Sequence, residues 1–187
     1  MRVILEGLTG AGKSSTIAAM RRLSLLPGFF APEEETLGEV WDEIQADAIE
    51  QKPLVRRLDA VIARLHAEKP DSFLLERFHF SYFSLVPTWS HYDAIDSALH
   101  ALGVTIVLLT IPEEKLRERS LMRREHGGTD WQGMISHFGS EAAAIEQLRA
   151  SQERRLEALA KTRLPAVTID TSSEDWESVA RAIASGK

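Results

Sequence analysis

The stretch Gly7-Leu8-Thr9-Gly10-Ala11-Gly12-Lys13-Ser14 decides the fold class of this chain. It has the G-x-x-x-x-G-K-[ST] spacing of a phosphate-binding loop. It follows the apolar run Val3-Ile4-Leu5 and leads into a helix-forming stretch from Ser15 to Leu26. The glycines let consecutive backbone N–H groups turn toward an anion, and the helix N-terminus adds positive partial charge there. The stretch therefore predicts that a nucleoside triphosphate binds between a strand and a helix.

The side chains of this loop have distinct expected roles. Lys13 would reach the β- and γ-phosphates, and the Ser14 hydroxyl would bind Mg²⁺. ATP and Mg²⁺ are the predicted cofactors, and a guanine-specific switch is disfavoured because Asn-Lys-x-Asp occurs nowhere in the chain. The residues expected to contact the nucleotide are Gly7, Thr9, Gly10, Ala11, Gly12, Lys13, Ser14 and Ser15.

Length and composition narrow the class of protein. The 187 residues suit a single domain, and contents of 44% hydrophobic and 27% charged residues are typical of a soluble globular protein. A formal net charge of -6 gives no general attraction for nucleic acid or anionic membranes. The sequence contains no cysteine and no long apolar segment, and residues 2–14 are expected to form a strand and the phosphate-binding loop rather than a signal peptide. We therefore expect a cytoplasmic protein without a membrane or nucleic-acid partner.

Short apolar runs alternate with longer amphipathic ones along the chain. This βαβα order predicts an α/β fold of three α/β/α layers around a parallel sheet with right-handed crossovers. Nucleotides bind such sheets at the carboxyl ends of the strands. The predicted strands are Arg2–Glu6, Ser72–Glu76, Val104–Thr110, Ala166–Asp170 and a weaker one at Gly28–Ala31. The predicted helices are Ser15–Leu26, Thr36–Glu50, Leu54–His66, His91–Leu102, Glu113–Arg124, Glu141–Lys161 and Glu174–Ala184, the last capped by Ser173.

A carboxylate and an arginine end the second main strand. Glu76 and Arg77 follow the buried run Ser72–Leu75, at the sheet edge where the phosphate-binding loop should lie. An acid in this place helps hold Mg²⁺ in phosphate-loop enzymes, so we assign Glu76 with Ser14 to the metal. Arg77 is predicted to be catalytic by contacting the transferring phosphoryl oxygens or the acceptor. The alternative is a Glu-Arg pair that only closes a strand.

Arginines crowd the segment that follows Val104–Thr110. Arg119 and Arg123 lie four residues apart and share one helix face, ahead of the break at Gly127-Gly128. We expect residues 113–133 to form a mobile lid that brings both arginines, as catalytic groups, onto the triphosphate. The same segment also carries acidic residues, so a solvated, salt-bridged helix face is the alternative.

These pieces together resemble the thymidylate kinase and deoxynucleoside kinase group of phosphate-loop kinases. The stretch Leu5–Ser15 resembles the strand and loop of that group, including the Glu before the first Gly. Glu76–Ser81 resembles its Asp/Glu-Arg-x-x-x-Ser motif, and Val167–Ser172 resembles its last strand and adenine-side loop. The lid helix is matched by Pro112, Glu113, Leu116, Arg119 and Arg123. The resemblance implies a five-stranded parallel sheet, MgATP as donor, and a nucleoside or nucleotide as acceptor.

The acceptor side departs from the thymidylate kinase pattern. Those enzymes carry an Arg-Glu-Pro stretch after the second strand, and its Arg helps hold the acceptor phosphate. Here the stretch is Ala31-Pro32-Glu33-Glu34-Glu35. Three carboxylates would repel a phosphate and would suit a neutral hydroxyl that needs a general base. We place the base at Glu34, with Glu33 and Glu35 as alternatives. The cations that could still bind an acceptor phosphate are Arg56, Arg57 and Arg64.

The sequence therefore predicts an ATP-dependent kinase that transfers the γ-phosphoryl group to a nucleoside-like or nucleotide acceptor. A kinase of another small hydroxyl compound, such as an antibiotic or a sugar, and a regulatory adenine-nucleotide-binding ATPase are the alternatives. The expected partner is the small-molecule acceptor, and a homodimer stays open because long helices often pair in this fold class. Aromatic residues that could complete the acceptor pocket, or simply fill the core, are Trp41, Phe80 and Trp89.

Overall fold

The computed structural model describes residues 1–38, 51–121 and 131–186, with backbone alone for 51–54 and 131–134. The strands are β1 Arg2–Glu6, β2 Phe29–Ala31, β3 Phe73–Glu76, β4 Thr105–Thr110 and β5 Ala166–Asp170. All neighbours pair in parallel, in the order β2-β3-β1-β4-β5. The predicted five-stranded parallel sheet is confirmed, including the weak strand at β2.

Helices pack on both faces of this sheet and make the three α/β/α layers. Two short 3₁₀ segments, Trp89–His91 and Glu113–Lys115, and one turn of π-helix, Arg117–Leu121, join them. The described α-helices are α1 Lys13–Arg22, α2 Glu33–Thr36, α3 Gln51–Glu68, α4 His79–Phe83, α5 Asp93–Ala101, α6 Trp131–Phe138, α7 Glu141–Leu159 and α8 Trp176–Ser185. None of these helices combines the length and apolar character that crossing a membrane requires.

Strand β1 shows why the sheet is buried on both faces. Successive side chains of a strand point to opposite faces. Ile4 packs into a core with helices α3, α4 and α5, whereas Val3 and Leu5 pack into a second core with α1 and α8. A strand covered on both faces must be apolar at every position, which is why β1 and β4 lack polar-apolar alternation.

The strand register brings the functional segments to one edge. Leu5 pairs with Glu76 of β3, and Glu6 pairs with Leu108 of β4. The chain leaves β1 directly into the phosphate-binding loop, so the loop and the Glu76-Arg77 pair meet at the carboxyl ends of adjacent central strands. This is the edge where parallel α/β sheets bind their ligands.

The predicted helix Glu113–Arg124 is wrong in its form. Its described part is a 3₁₀ turn at Glu113–Lys115 followed by the π-helical turn Arg117–Leu121, whereas residues 122–130 lie outside the described part of the chain. Single π-helical turns recur at functional sites because they shift the side chains that follow them. The predicted helix Thr36–Glu50 likewise falls mostly on residues 39–50, which are not described.

The predicted cap of the last helix is also corrected. Helix α8 begins at Trp176, and its cap is Asp175, whose carboxylate accepts a hydrogen bond from the Ser178 N–H at 3.0 Å. Ser173 lies two residues earlier. Both residue types can cap a helix. Glu174 adopts a left-handed φ of 55°, so the helix begins only after Asp175.

Candidate functional site

The phosphate-binding loop is held open by three glycines in left-handed or extended positive-φ conformations. Gly7, Gly10 and Gly12 have φ values of 148°, 85° and 88°. A Cβ atom on Gly10 would lie 2.4 Å from the carbonyl oxygen of Arg119, so only glycine fits there. Helix α1 starts directly at Lys13, and the first N–H groups of an α-helix have no partner within the helix. The loop therefore ends in a cluster of donors suited to phosphate.

Lys13 is folded onto this loop. Its Nζ donates hydrogen bonds to the carbonyl oxygens of Gly7 at 3.0 Å and Leu8 at 3.2 Å. Burial, followed by the positive charge of Arg77, lowers the pKa of Lys13 to about 7, although Glu33 and Glu76 act in the opposite sense. A phosphate group that met this ammonium would favour its charged form. These contacts hold Lys13 against the phosphate-binding loop, and its predicted contact with the phosphates stays a prediction.

Glu76 and Arg77 lie at the end of β3, beside the loop. The Glu76 side chain is buried, and this burial raises its pKa despite the nearby Lys13. Arg77 has φ of 56° and a buried guanidinium whose Nη2 donates to the Thr9 hydroxyl at 3.4 Å. The structure therefore brings together the four sequence-predicted site residues Lys13, Thr9, Glu76 and Arg77.

Only one of the three consecutive glutamates reaches this group. The Glu33 carboxylate lies 2.8 Å from Arg77 Nε, and its backbone N–H donates to the Glu76 carboxylate. Glu34 is exposed, and Glu35 forms a surface ion pair with Arg64 at 2.7 Å. The geometry of the short helix α2 explains why only Glu33 reaches Arg77. One helical turn can direct only one of three successive side chains toward the sheet edge.

Arg119, in the π-helical turn after β4, contacts the phosphate-binding loop at Gly10. Its Nη1 donates to the Thr171 carbonyl at 2.6 Å and its Nη2 to the Gly10 carbonyl at 2.9 Å. The guanidinium also stacks 5.3 Å from the ring of Trp176, which itself covers Gly12. The π-helical turn thus ties the loop after β5 to the phosphate-binding loop. Ser120 adds a hydrogen bond to the Thr9 carbonyl at 2.8 Å.

Three buried or half-buried residues at the site were not singled out from the sequence. Arg155 of α7 and Glu6 of β1 form a buried pair behind Arg77, and Trp176 covers the loop. Glu6 was noted only as part of the kinase-like motif. Nothing local distinguishes Arg155 from the neighbouring arginines of α7, so its role emerges only from packing.

The other residues that were predicted to line the acceptor pocket lie in the core, on the surface or outside the described part of the chain. Phe80 is buried in the core against Trp89, whose ring is 6.3 Å away. Arg57 lies against Gly38, and Arg64 stacks on Phe29 at 4.6 Å while pairing with Glu35. Arg123, which the sequence predicted to be catalytic, and the aromatic Trp41 lie outside the described residues.

The residues present fit a Mg²⁺ ion that arrives with its nucleotide. Across residues 1–38, 51–121 and 131–186, no group of three or more acidic, His or Cys side chains forms a metal cage. Mg²⁺ is usually held by one or two protein oxygens plus substrate phosphates, so a cage is not required. The candidate oxygens are the exposed Ser14 hydroxyl on the first turn of α1 and the Glu76 carboxylate.

Three solved structures, two of which are named as kinases, match nearly the whole length of this chain. The YorR protein of Bacillus subtilis, solved with phosphorylated GDP, has a TM-score of 0.63 at 16% identity, covering 98% of this chain and 93% of its own. A gluconokinase from Sinorhizobium meliloti has a TM-score of 0.59 at 17% identity, covering 99% and 90%. Deoxyadenosine kinase from M. mycoides, with bound dATP, has a TM-score of 0.58 at 14% identity, covering 100% and 98%.

Neither a protein-family model nor a curated protein matches the sequence. At 14–17% identity, the structural likeness establishes the fold. The resemblance to phosphate-loop kinases of the deoxynucleoside kinase group is thereby confirmed for the fold. The likeness to thymidylate kinases in particular stays a prediction.

Proposed function

We propose that this protein is an ATP-dependent phosphotransferase that moves the γ-phosphoryl group of MgATP to a hydroxyl group of a small, nucleoside-like molecule. One observation carries this proposal. Lys13, Arg77, Glu76 and Glu33 converge beside the phosphate-binding loop, and Arg77 and Glu33 are 2.8 Å apart. Cations for a transferring phosphoryl group, a carboxylate for Mg²⁺ and a carboxylate for an incoming hydroxyl are thus grouped at one sheet edge.

The cations would gather the charge of the triphosphate. Phosphoryl transfer passes through a state whose charge spreads over the phosphoryl oxygens, so positioned cations supply much of the rate. Lys13 would contact the β- and γ-phosphates, and Arg77 the transferring group. Mg²⁺, held by Ser14 and Glu76, would neutralise part of the phosphate charge. Arg119 and Trp176 would hold the donor side, where they already bridge the loop to Thr171.

Glu33 replaces Glu34 in the proposal as the group that orients the acceptor. A general base must lie within hydrogen-bond reach of the proton that it removes, near the phosphate-binding loop. The Glu33 carboxylate lies 2.8 Å from Arg77, which itself contacts the loop at Thr9, whereas Glu34 is exposed. This location supports Glu33 as the base. In the proposed step, the acceptor oxygen bonds to the γ-phosphorus, its proton passes to the Glu33 carboxylate, and the bond to the ADP oxygen breaks.

A second acceptor class has one specific observation in its favour. The gluconokinase similarity, at a TM-score of 0.59, shows that this fold also occurs in a sugar-acid kinase. Both acceptor classes offer a neutral hydroxyl, which suits the carboxylate at the site, and they differ in the group that carries the hydroxyl. Substrate panels must therefore contain nucleosides, nucleoside monophosphates and polyhydroxy acids.

The test is phosphoryl transfer from MgATP to that panel by the full chain and its Glu33→Gln and Glu34→Gln variants. We expect one hydroxyl class to be phosphorylated, with the Glu33→Gln turnover lowered about 100-fold or more, in the range of general-base effects. Glu34→Gln should keep near-normal turnover. Slow ATP hydrolysis that no acceptor accelerates would instead indicate a regulatory ATPase, and equal losses in both variants would remove Glu33 from the mechanism.

A further inference from the structure

Glu6, the last residue of β1, is a fully buried carboxylate outside the proposed chemistry. Its Oε1 accepts hydrogen bonds from the backbone N–H groups of Phe78 at 2.7 Å and Ser81 at 3.2 Å. Its Oε2 accepts from the Ser81 hydroxyl at 2.7 Å. All three donors belong to the turn that follows Arg77. The carboxylate therefore fixes the path of the chain immediately after the site arginine.

Arg155, on helix α7, stands behind this carboxylate. Its Nε lies 3.8 Å from Glu6 Oε2, and its Nη2 donates to the Ser81 hydroxyl at 3.3 Å. Its Nη1 donates to the Ser151 hydroxyl at 2.6 Å. Burial lowers the pKa of Arg155 to about 10, and the negative charge of Glu6 works against this shift. The pair thus holds two opposite charges inside the protein, joined through Ser81.

The turn of α7 that carries Arg155 is itself fastened to the core. Gln152 exchanges two hydrogen bonds of 2.9 Å with the backbone of Ile111, just after β4. Arg154 donates to the Ser84 carbonyl at 2.8 Å, at the end of α4. These contacts fix the height and rotation of α7 against the sheet. Arg155 is therefore presented to Glu6 by a rigid element.

Arg77 needs such support because its backbone is strained. A φ of 56° lies in the left-handed region, which non-glycine residues adopt rarely. The Arg77 N–H donates to the Leu5 carbonyl at 2.9 Å, and the next N–H, of Phe78, is held by Glu6. Strained residues persist where the surroundings fix them on both sides, and such strain clusters at functional sites.

We propose that Glu6 and Arg155 are positioning residues that act through the Phe78–Ser81 turn to hold the Arg77 guanidinium against Glu33 and Thr9. The inference rests on the proposed function, since Arg77 matters there as the cation on the transferring phosphoryl group. Loss of either charge leaves the other charged side chain buried without compensation. The hydrogen bonds that hold the Phe78–Ser81 turn to Glu6 are then weakened, and the turn changes its conformation. The Arg77 side chain then leaves the geometry that phosphoryl transfer requires.

The test uses three variants of the full chain with one matched control. Glu6→Gln keeps the shape but removes the charge, Arg155→Met removes the guanidinium, and Ser81→Ala deletes only the hydroxyl between them. Arg149→Met is the control, because Arg149 lies on the same helix α7 but pairs at the surface with Glu113 and Glu146 rather than with Glu6. Ser81→Ala is the mildest change and keeps the test decisive if a buried-charge variant does not fold.

The first readout needs no catalysis. The Nε–H NMR signal of Arg77, assigned by its loss in Arg77→Lys, should be slowly exchanging in the wild type and in Arg149→Met, because the Nε atom is buried beside Glu33. We expect this signal to broaden or exchange faster in the other three variants. An Arg77 signal that is unchanged in every folded variant would overturn the proposal, whether or not the wild type is active.

The second readout is kinetic. The kcat should fall on the order of 10-fold to 100-fold in Arg155→Met, the loss expected from misplacing a catalytic group, with the KM for MgATP changed much less. In a variant that already carries Arg77→Met, adding Arg155→Met should lower kcat only slightly further, because both changes remove the contribution of a correctly placed Arg77. Additive losses would show that Arg155 only stabilises the fold. A wild type that transfers no phosphoryl group would count against the proposed function, and the NMR comparison would still decide the positioning role.

Discussion

The ammonium group of Lys13 is buried in the folded protein even without a bound phosphate to balance its charge. Burial lowers its pKa to about 7 in the folded protein, against about 10.4 in an unfolded chain. Between these values the unfolded chain binds one more proton than the folded protein, so the free energy of unfolding should rise with pH, by at most about 1.4 kcal/mol per pH unit. Below pH 7, Lys13 is charged in both states and its burial cost is fully present.

The predicted pH dependence is tested with Lys13→Met. We expect urea unfolding to show the wild type gaining stability relative to this variant as the pH rises from about 7 to 10. The variant should also lose phosphoryl transfer while keeping its circular dichroism spectrum, because the side chain faces the loop rather than the core. A stability difference that stays constant across this pH range would mean that Lys13 titrates normally in the folded protein.

Arg119 differs from Arg117 in what each arginine contacts, although they lie two residues apart. Arg119 is buried and donates to Gly10 and Thr171, whereas Arg117 pairs with Glu141 on the surface. We expect Arg119→Met to raise the KM for MgATP about tenfold or more, because two hydrogen bonds from a charged group are lost. Arg117→Met should stay within about twofold, as is typical of exposed ion pairs. Steady-state kinetics with varied MgATP compares the two.

The same experiment tests the sequence-based role of Arg119. A catalytic arginine that acts only in the transition state would lower kcat and leave the KM nearly unchanged. The observed contacts instead favour a role in shaping the donor site. The corresponding prediction for Arg123 stays open, because it lies outside the described part of the chain.

At the scale of elements, the phosphate-binding loop and the π-helical turn Arg117–Leu121 share one tight contact. Gly10→Ala would place a Cβ atom 2.4 Å from the Arg119 carbonyl oxygen, in addition to its left-handed strain. Gly103→Ala is a matched control, with φ of 67° and nothing within 4 Å of its Cβ position. We expect the control to cost about 1–2 kcal/mol of unfolding free energy from strain alone. Gly10→Ala should cost about 1–3 kcal/mol more.

Urea unfolding of both variants measures this difference, and calorimetric titration with ADP gives the effect on the ligand. Displacing the π-helical turn should weaken ADP binding in Gly10→Ala and leave Gly103→Ala unaffected. Equal stabilities for the two variants would mean that the turn moves freely away from the loop.

Elements with a local signal were predictable from the sequence. Strands β1 and β5 have the predicted bounds. The apolar run of β1 and the alternating side chains of β5 are local patterns, which need no distant information to be recognised. The π-helical turn was not predictable, because the pattern of Arg117–Leu121 suits an ordinary α-helix. This turn contacts Gly10 and Thr171, which are distant in the sequence, so its form is not a local property of the pattern. Helix α6 was missed because glycines flank and interrupt its short pattern.

For the whole molecule, ADP that binds at the phosphate-binding loop should raise the free energy of unfolding. ADP with Mg²⁺ at about 100 times its Kd should add about 2.7 kcal/mol to the free energy of unfolding. For a chain of this size, that corresponds to a rise in Tm of about 5–10 °C. Chelating the Mg²⁺ should reduce the rise.

Thermal unfolding monitored by tryptophan fluorescence measures this effect, since Trp176 lies against the loop. The Lys13→Met variant, at the same ADP concentration, provides the comparison and should show a much smaller rise. A rise of equal size in this variant would place the nucleotide away from the phosphate-binding loop.

The sequence by itself determined the phosphate-binding loop, the parallel sheet and the location of Glu76 and Arg77 at its edge. These features depend on spacing within about a dozen residues and on strand polarity, which a linear sequence records directly. Only the tertiary structure decided that Glu33 rather than Glu34 meets Arg77, that Arg119 bridges Gly10 and Thr171, and that Glu6 and Arg155 stand behind the site. Partners such as Glu6 and Arg155 are about 150 residues apart, so their meeting depends on how the helices pack on the sheet, and no local pattern encodes that packing.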